Sequence, residues 1–373
     1  MISKRLYNAV MQLLFYPNLP GLQHFGMQIP VLDTRATSTI EMLQQDPEIG
    51  PHMPELLFTS QTEDIRREDI ARVHSEKYVQ ALYSEDLKAL LLQAYELIDK
   101  NGEYNRYNPD LAKSPLTDIF KVICTRTAGS LQCMRSALDQ QFCFYFGGGF
   151  HHAHADFGHG FCIMNDIVIG IRRLQAEGRI KTAWVIDGDA HKGDGTAALT
   201  ANDPSIATLS VHMKSGWPLD VQRYDENGKE HPSFIPSTVD IPIESGQEAD
   251  YAAALNFGIA ELEAALPQPD LAVVVFGADP YEHDGLDSTS QLKLSLEQLK
   301  ERDSIIFDFL DSRKIPAAYL MAGGYGPHAW EVNYQFLKWV MLERGLLPTT
   351  LHENSHQKDQ DKNQKENHEE APG

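Results

Sequence analysis

The stretch Ala183 to Gly195, AWVIDGDAHKGDG, limits what this chain can fold into more than any other. Its apolar start, Ala183 to Ile186, reads as a buried strand. Asp187, Asp189, His191 and Asp194 then follow within eight residues. Three carboxylates and an imidazole at the end of a buried strand are costly unless a cation or a partner meets them. Asp189 and His191 are two apart, so extended backbone turns both side chains to one side, which Asp187 shares. The stretch therefore reads as half of a metal site with groups behind it to orient the ligands.

The rest of the chain supplies the setting. Apolar strand-like runs recur at 141–149, 206–213, 271–279 and 315–324. Helical stretches fall at 31–43, 118–139, 163–177, 249–265, 290–312 and 328–345. This alternation predicts an α/β fold, a single domain with a central, mostly parallel sheet of about eight strands covered by helices on both faces. Residues 1–60 read as a loop-rich entry. Residues 62–86 read as helical around a buried, hydrogen-bonded His74, and 100–117 as a polar loop able to form a functional rim. No internal repeat or linker divides residues 1–351. The tail, 352–373, has no aromatic or branched apolar residue after Leu351 and is expected to be disordered.

Composition excludes some functions. A net charge of −21 argues against a general nucleic-acid surface. It suits solubility and, equally, attraction of a cationic substrate. No apolar run approaches a membrane span, and the N-terminal segment lacks a signal-peptide cleavage pattern. Cys124, Cys133, Cys143 and Cys162 form no C-x-x-C pair and read as reduced thiols of a cytoplasmic-type compartment. Secretion into a host cell and the oligomeric state stay open.

In open α/β sheets, sites form beyond the carboxyl ends of the strands. Here those ends carry His151 and His152, the Asp187–Asp194 cluster, Ser210 and His212, Asp279, and Gly323-Gly324-Tyr325. Asp189, His191 and Asp279 offer one nitrogen and two oxygen ligands, leaving a position for water as a catalytic metal requires. The His151–His152 pair offers a general base. Asp187 and Asp194 are candidates to fix the tautomers of these rings. Tyr325 is a candidate donor to a developing oxyanion. Together the parts describe a metal-assisted amide hydrolase.

The motifs GGGFHHA (147–153), GFCIMND (160–166), DGDAHKGDG (187–195), LSVH (209–212), FGAD (276–279) and AGGY (322–325) resemble those of the zinc-dependent histone deacetylase superfamily. That superfamily includes acetylpolyamine amidohydrolases and acetoin-utilisation proteins. The resemblance extends over roughly residues 15–345, favours a bacterial-type member, and implies an arginase/deacetylase-like fold. It implies zinc at Asp189, His191 and Asp279, with ferrous iron the alternative. His152 would be the general base with His151 beside it, Asp187 pairing with His151 and Asp194 with His152. Tyr325 would polarise the scissile carbonyl. Gly160, Phe161, Trp217 and Leu286 would form the acyl-lysine tunnel, with SGWP matching the family loop only loosely. Asp187, Asp189, His191, Ser210 and the Val211 backbone would frame a structural potassium site. Arg35, an ordinary surface cation on local sequence alone, would line an acetate channel.

The chain departs from the family at Lys192, where a second histidine is common, and at His159; a changed surface or loop contact is expected at Lys192. His154 lies in a setting like that of smaller bacterial and class IV-like members. His74 and His212 read as structural, and Asp284 and Asp287 as solvated loop charges that could instead attract a cationic substrate. The expected substrate is acetyl-lysine in a protein or peptide. Acetylpolyamines and longer acyl-lysines are the alternatives. A binuclear manganese ureohydrolase would need an acid where Gly277 stands, and a silent binding protein would have lost a ligand, the base or the tyrosine.

Overall fold

The computed structural model describes residues 11–348. The predicted disordered tail lies outside them. Eight strands form one all-parallel sheet: β1 (Gln12–Leu14), β2 (Leu57–Phe58), β3 (Phe142–Tyr145), β4 (Ala183–Asp187), β5 (Ile206–Met213), β6 (Val239–Ile243), β7 (Leu271–Phe276) and β8 (Ala317–Met321). Their order is β2-β1-β3-β8-β7-β4-β5-β6. The interior strands are apolar on both faces because both are covered. Trp184 and Ile186 face one core with helices Tyr251–Ala265, Leu296–Arg313 and Ala329–Glu343. Val185 and Ala183 face the other with Ile119–Gln140 and Asp166–Ala176.

The sequence expectation missed β1, β2 and β6. The first two have only three and two residues, too few for any periodicity. β6 carries Pro242, which the sheet tolerates at its edge. The helical reading of 62–86 is corrected to two short helices, Arg67–Ala71 and Glu76–Leu82. Ser75 divides them by capping the second, its Oγ accepting from the Tyr78 N–H at 3.3 Å. The 290–312 expectation shrinks to Leu296–Arg313, because Ser295 and Gln298 form a reciprocal cap there. A further helix, Asp194–Thr200, begins inside the charged cluster.

The topology positions the site. β3, β8, β7 and β4 are neighbours and parallel, so all four carboxyl ends open at one rim. The β4–β5 register pairs Asp187 with Ser210 at the same rim. No helix among the described residues is long and apolar enough to cross a membrane.

Candidate active site

Asp189 and His191 stand on the loop after β4, and Asp279 on the loop after β7. Their ligand atoms lie within 4.8 Å of one another and all three residues are buried. His191 Nδ1 is 3.2 Å from Asp189 Oδ1 and 3.1 Å from Asp279 Oδ2. The other ring nitrogen is 3.0 Å from Ser288 Oγ, which fixes the ring. Burial and the charge of Asp189 push the Asp279 carboxyl up from its usual range. Burial would lower the His191 imidazole, yet the two carboxylates outweigh it and raise it. Both effects say that the site attracts positive charge, whether a proton or a metal ion. One nitrogen and two carboxylates match the donor set of a catalytic zinc site. The cluster has no room to spare: a Cβ on Gly323 would overlap Asp189 and Asp279.

His151 and His152 reach the same hollow from the loop after β3. That loop needs left-handed backbone at Gly148 and Gly149, both at φ 76°. Asp166, at the start of its helix, accepts the N–H groups of Gly149 at 2.9 Å and Phe150 at 2.6 Å, and so clamps the loop. His151 Nδ1 donates to Asp187 Oδ2 at 2.7 Å. Burial lowers its proton affinity, but Asp187 and Asp189 outweigh that and hold it up at about 9. His152 is the opposite case. Burial and the adjacent charge of His151 hold it well below the usual histidine value, although Nδ1 is 2.8 Å from Asp194 Oδ1. Two neighbouring imidazoles are thus pushed in opposite directions, His151 up and His152 down, and the lowered one is the better placed to take a proton.

Tyr325 completes the hollow. Its backbone N–H donates to Asp284 Oδ2 at 2.7 Å, so Asp284 is a half-buried buttress and not the solvated charge expected. Asp287 is exposed. Burial and the charges of Asp279 and Asp189 push the Tyr325 phenol well up, which keeps its O–H available to donate. The entrance is a cleft between Phe161, Trp217 and Leu286, floored by His152, His191, Gly160 and Tyr325. The Trp217 ring meets His152 edge to face at 4.5 Å, and a side chain on Gly160 would collide with it. Arg106, from the polar loop, reaches the rim and pairs with Glu96 at 3.7 Å.

Other residues sit as follows. Arg35 is no surface cation: its guanidinium lies inside, donating to the Ala322 carbonyl at 2.6 Å. Lys192 is a buried loop contact, its Nζ donating to the Ile235 carbonyl at 2.8 Å, with Asp240 at 3.4 Å. His74 is buried between the His154 carbonyl at 2.8 Å and the Asn165 N–H at 3.1 Å. Ser210 Oγ meets His212 Nδ1 at 2.9 Å, and burial lowers His212 to about 4, as a structural histidine requires. The His159 and His154 rings join His152 on Asp194, at 3.0 and 3.1 Å from Oδ2.

The histone deacetylase domain matches residues 30–338 of the chain. The chain belongs to the histone deacetylase family. It is 27% identical over 258 residues to histone deacetylase 2 of Arabidopsis thaliana, covering 69% of this chain and 60% of that protein. It is 28% identical over 213 residues to the acetoin utilization protein AcuC of Staphylococcus aureus (strain COL), covering 55% of this chain and 53% of AcuC. An uncharacterized Picosynechococcus protein is 28% identical over 212 residues, covering 57% of this chain and 65% of its own length. The chain thus spans about three fifths of these curated relatives.

One residue of this deacetylase-family site escaped the sequence reading. Arg302 is buried, and Nη1 donates to the carbonyls of Gly188 at 2.9 Å and Gly277 at 2.8 Å. Those glycines lie on the two ligand-bearing loops. Nε donates to Asp303 Oδ1 at 2.7 Å. The signal was present: Leu299, Arg302, Ile306 and Leu310 share one helical stripe, and an arginine on an apolar stripe has a buried job. Arg302→Met strands Asp303 without its cation and should cost about 3–5 kcal/mol of stability. Urea unfolding of the purified variant measures this, and a loss under about 1 kcal/mol would show that Arg302 carries no such weight.

Proposed function

We propose that the chain is a metal-dependent amidohydrolase that removes acetyl or other acyl groups from the ε-amine of lysine in proteins or peptides. The observation that carries this is the convergence, at the foot of one narrow cleft, of the His152 imidazole, the Tyr325 phenol and the Asp189–His191–Asp279 donor set. Family membership supports it. When bound, zinc, or ferrous iron in its place, supplies Lewis acidity to the amide carbonyl and to the attacking water. The chain's own groups do the rest. The apolar walls of Phe161, Trp217 and Leu286 hold the lysine methylenes and exclude solvent. Tyr325 donates its O–H to the amide oxygen as negative charge grows there. His152 takes a proton from the attacking water and returns it to the departing amine nitrogen. Charged His151, anchored by Asp187, keeps His152 neutral in the resting state.

The rim favours acyl-lysine over acetylpolyamine. Glu96, the carboxylate lining the cleft mouth among the described residues, is met by Arg106, and Asp284 is turned inward. An unpaired acid to draw a polycation is therefore missing from that lining. A ureohydrolase-type second metal finds Gly277 where it needs an acid, and a Cβ there would overlap Asp189. A silent binding protein would have no use for an intact base, phenol and donor set. The reading includes a structural potassium ion framed by Asp187, Asp189, His191, Ser210 and the Val211 carbonyl, supported by the β4–β5 register. It also includes a cytoplasmic location, in keeping with four unpaired cysteines.

His152→Ala and Tyr325→Phe should each lower kcat on an acetyl-lysine peptide by about two or more orders of magnitude, with metal content staying near one per chain. Asp189→Ala should lose the metal itself, read by elemental analysis. Full rate in either of the first two variants removes that residue's role. The pH profile has a definite sign. A base with a depressed pKa is lost only as pH falls through that low value. The kcat plateau should therefore extend below pH 6.5, the ordinary histidine value, and an acidic limb centred at or above it would contradict the assignment.

A further inference from the structure

Behind the catalytic hollow, on the side away from the cleft, lies a cavity of about 260 Å³. It shares His152, Gly160, Phe161 and Tyr325 with the cleft, so the two spaces meet at the reacting centre. A lysine entering from the cleft would present its acyl group to this second space. One water occupies about 30 Å³ of liquid, so the cavity far exceeds a two-carbon acyl group. Phe15, Leu19, Val122, Ile123 and Phe146 give it an apolar wall.

Two guanidinium groups break that wall. Arg35 comes from the helix Thr34–Gln45, and Arg126 from the helix Ile119–Gln140. Among the described residues, neither makes an ion pair with a carboxylate within 4.0 Å. Arg35 Nη1 donates to the Ala322 carbonyl at 2.6 Å and, more weakly, to the Gly324 carbonyl at 3.5 Å, leaving its other N–H groups uncommitted, and no hydrogen bond from the Arg126 guanidinium is found among the described residues. The carboxylates in the lining are Asp33, exposed at its edge, and Asp189, already held by His191 and the Gly323 N–H. Burial and the charge of Arg126 lower the proton affinity of Arg35, to about 10, so the two cations feel each other. The Arg35 guanidinium is buried and Arg126 half-buried, and like charges facing one apolar-walled space are stabilised by an anion between them. An alkyl chain laid against them would desolvate both with no return.

We propose that this cavity receives short dicarboxylic acyl groups on lysine, succinyl or glutaryl, with the distal carboxylate held by Arg35 and Arg126. The inference rests on the amidohydrolase reading and names the acyl group within it. The reaction is hydrolysis alone: the amide C–N bond breaks, the water oxygen bonds to the acyl carbon, and a proton passes to the lysine nitrogen. The products are the free dicarboxylate and lysine, and no oxidant or further reactant is needed.

The test uses the full, metal-loaded chain with one peptide sequence bearing acetyl-, succinyl-, glutaryl- or octanoyl-lysine. The expected result is a kcat/KM for the better dicarboxylic peptide at least equal to that for acetyl. Arg126→Gln, checked by melting temperature and metal content, should lower that ratio by about tenfold or more, as loss of a charge-assisted hydrogen bond does. Arg126→Lys should recover part of it. Glutarate binding by calorimetry should weaken by a similar factor in Arg126→Gln, a readout independent of turnover. Hydrolysis of acetyl with a ratio below one overturns the inference and leaves the amidohydrolase reading standing. So does an octanoyl preference, which would make the cavity an alkyl site, and so does a ratio that Arg126→Gln leaves unchanged. Hydrolysis of none of the four peptides removes both.

Discussion

Two acids buried against one imidazole are the constraint that everything else in this molecule serves. Asp189 and Asp279 come from loops after neighbouring strands and face His191 at hydrogen-bond distance. Isolated carboxylates in such a place would cost several kcal/mol each. The fold keeps them there with paired positive charge and backbone donors. The Gly323 N–H donates to Asp189, the Ala190 N–H donates to Asp279, and Arg302 ties both loops from beneath. A metal ion held by these three residues would neutralise the cluster.

The same electrostatics separates the roles of two adjacent histidines. His151 and His152 are neighbours in sequence, with ring centroids 3.9 Å apart. One lies toward Asp187 and Asp189 and is raised; the other, next to that charge, is lowered. Asp194 orients the second ring but shares its carboxylate with His154, His159 and Ser233, so its hold on His152 is divided. A residue pattern of plain H-H thereby becomes two rings held in opposite electrostatic settings. The back cavity shows the same logic with the sign reversed, since Arg35 and Arg126 line it with positive charge as the acids line the candidate metal site with negative.

The buried strands, the helices between them and the residues at the strand ends were legible because long apolar runs and polar punctuation are local signals. β4 and β5 are observed at their expected bounds. The short edge strands were not legible, since two or three residues hold no period. Arg302 was legible in principle from its helical stripe but lay some twenty residues from any motif. Asp284 read as a solvated charge because nothing local marks a carboxylate that turns inward to hold the Tyr325 N–H. Lys192 read as a surface or loop change because its partners, Ile235 and Asp240, are distant in sequence.

The sequence by itself determined the sheet class, the family and which residues would meet at the candidate site, because these are written in contiguous motifs at strand ends. Tertiary structure alone decided which histidine is pushed up and which down, which arginine braces the loops, and what lies behind the candidate site. Those properties depend on burial and on distances between residues far apart in the chain, and neither quantity is stored in any local run of residues.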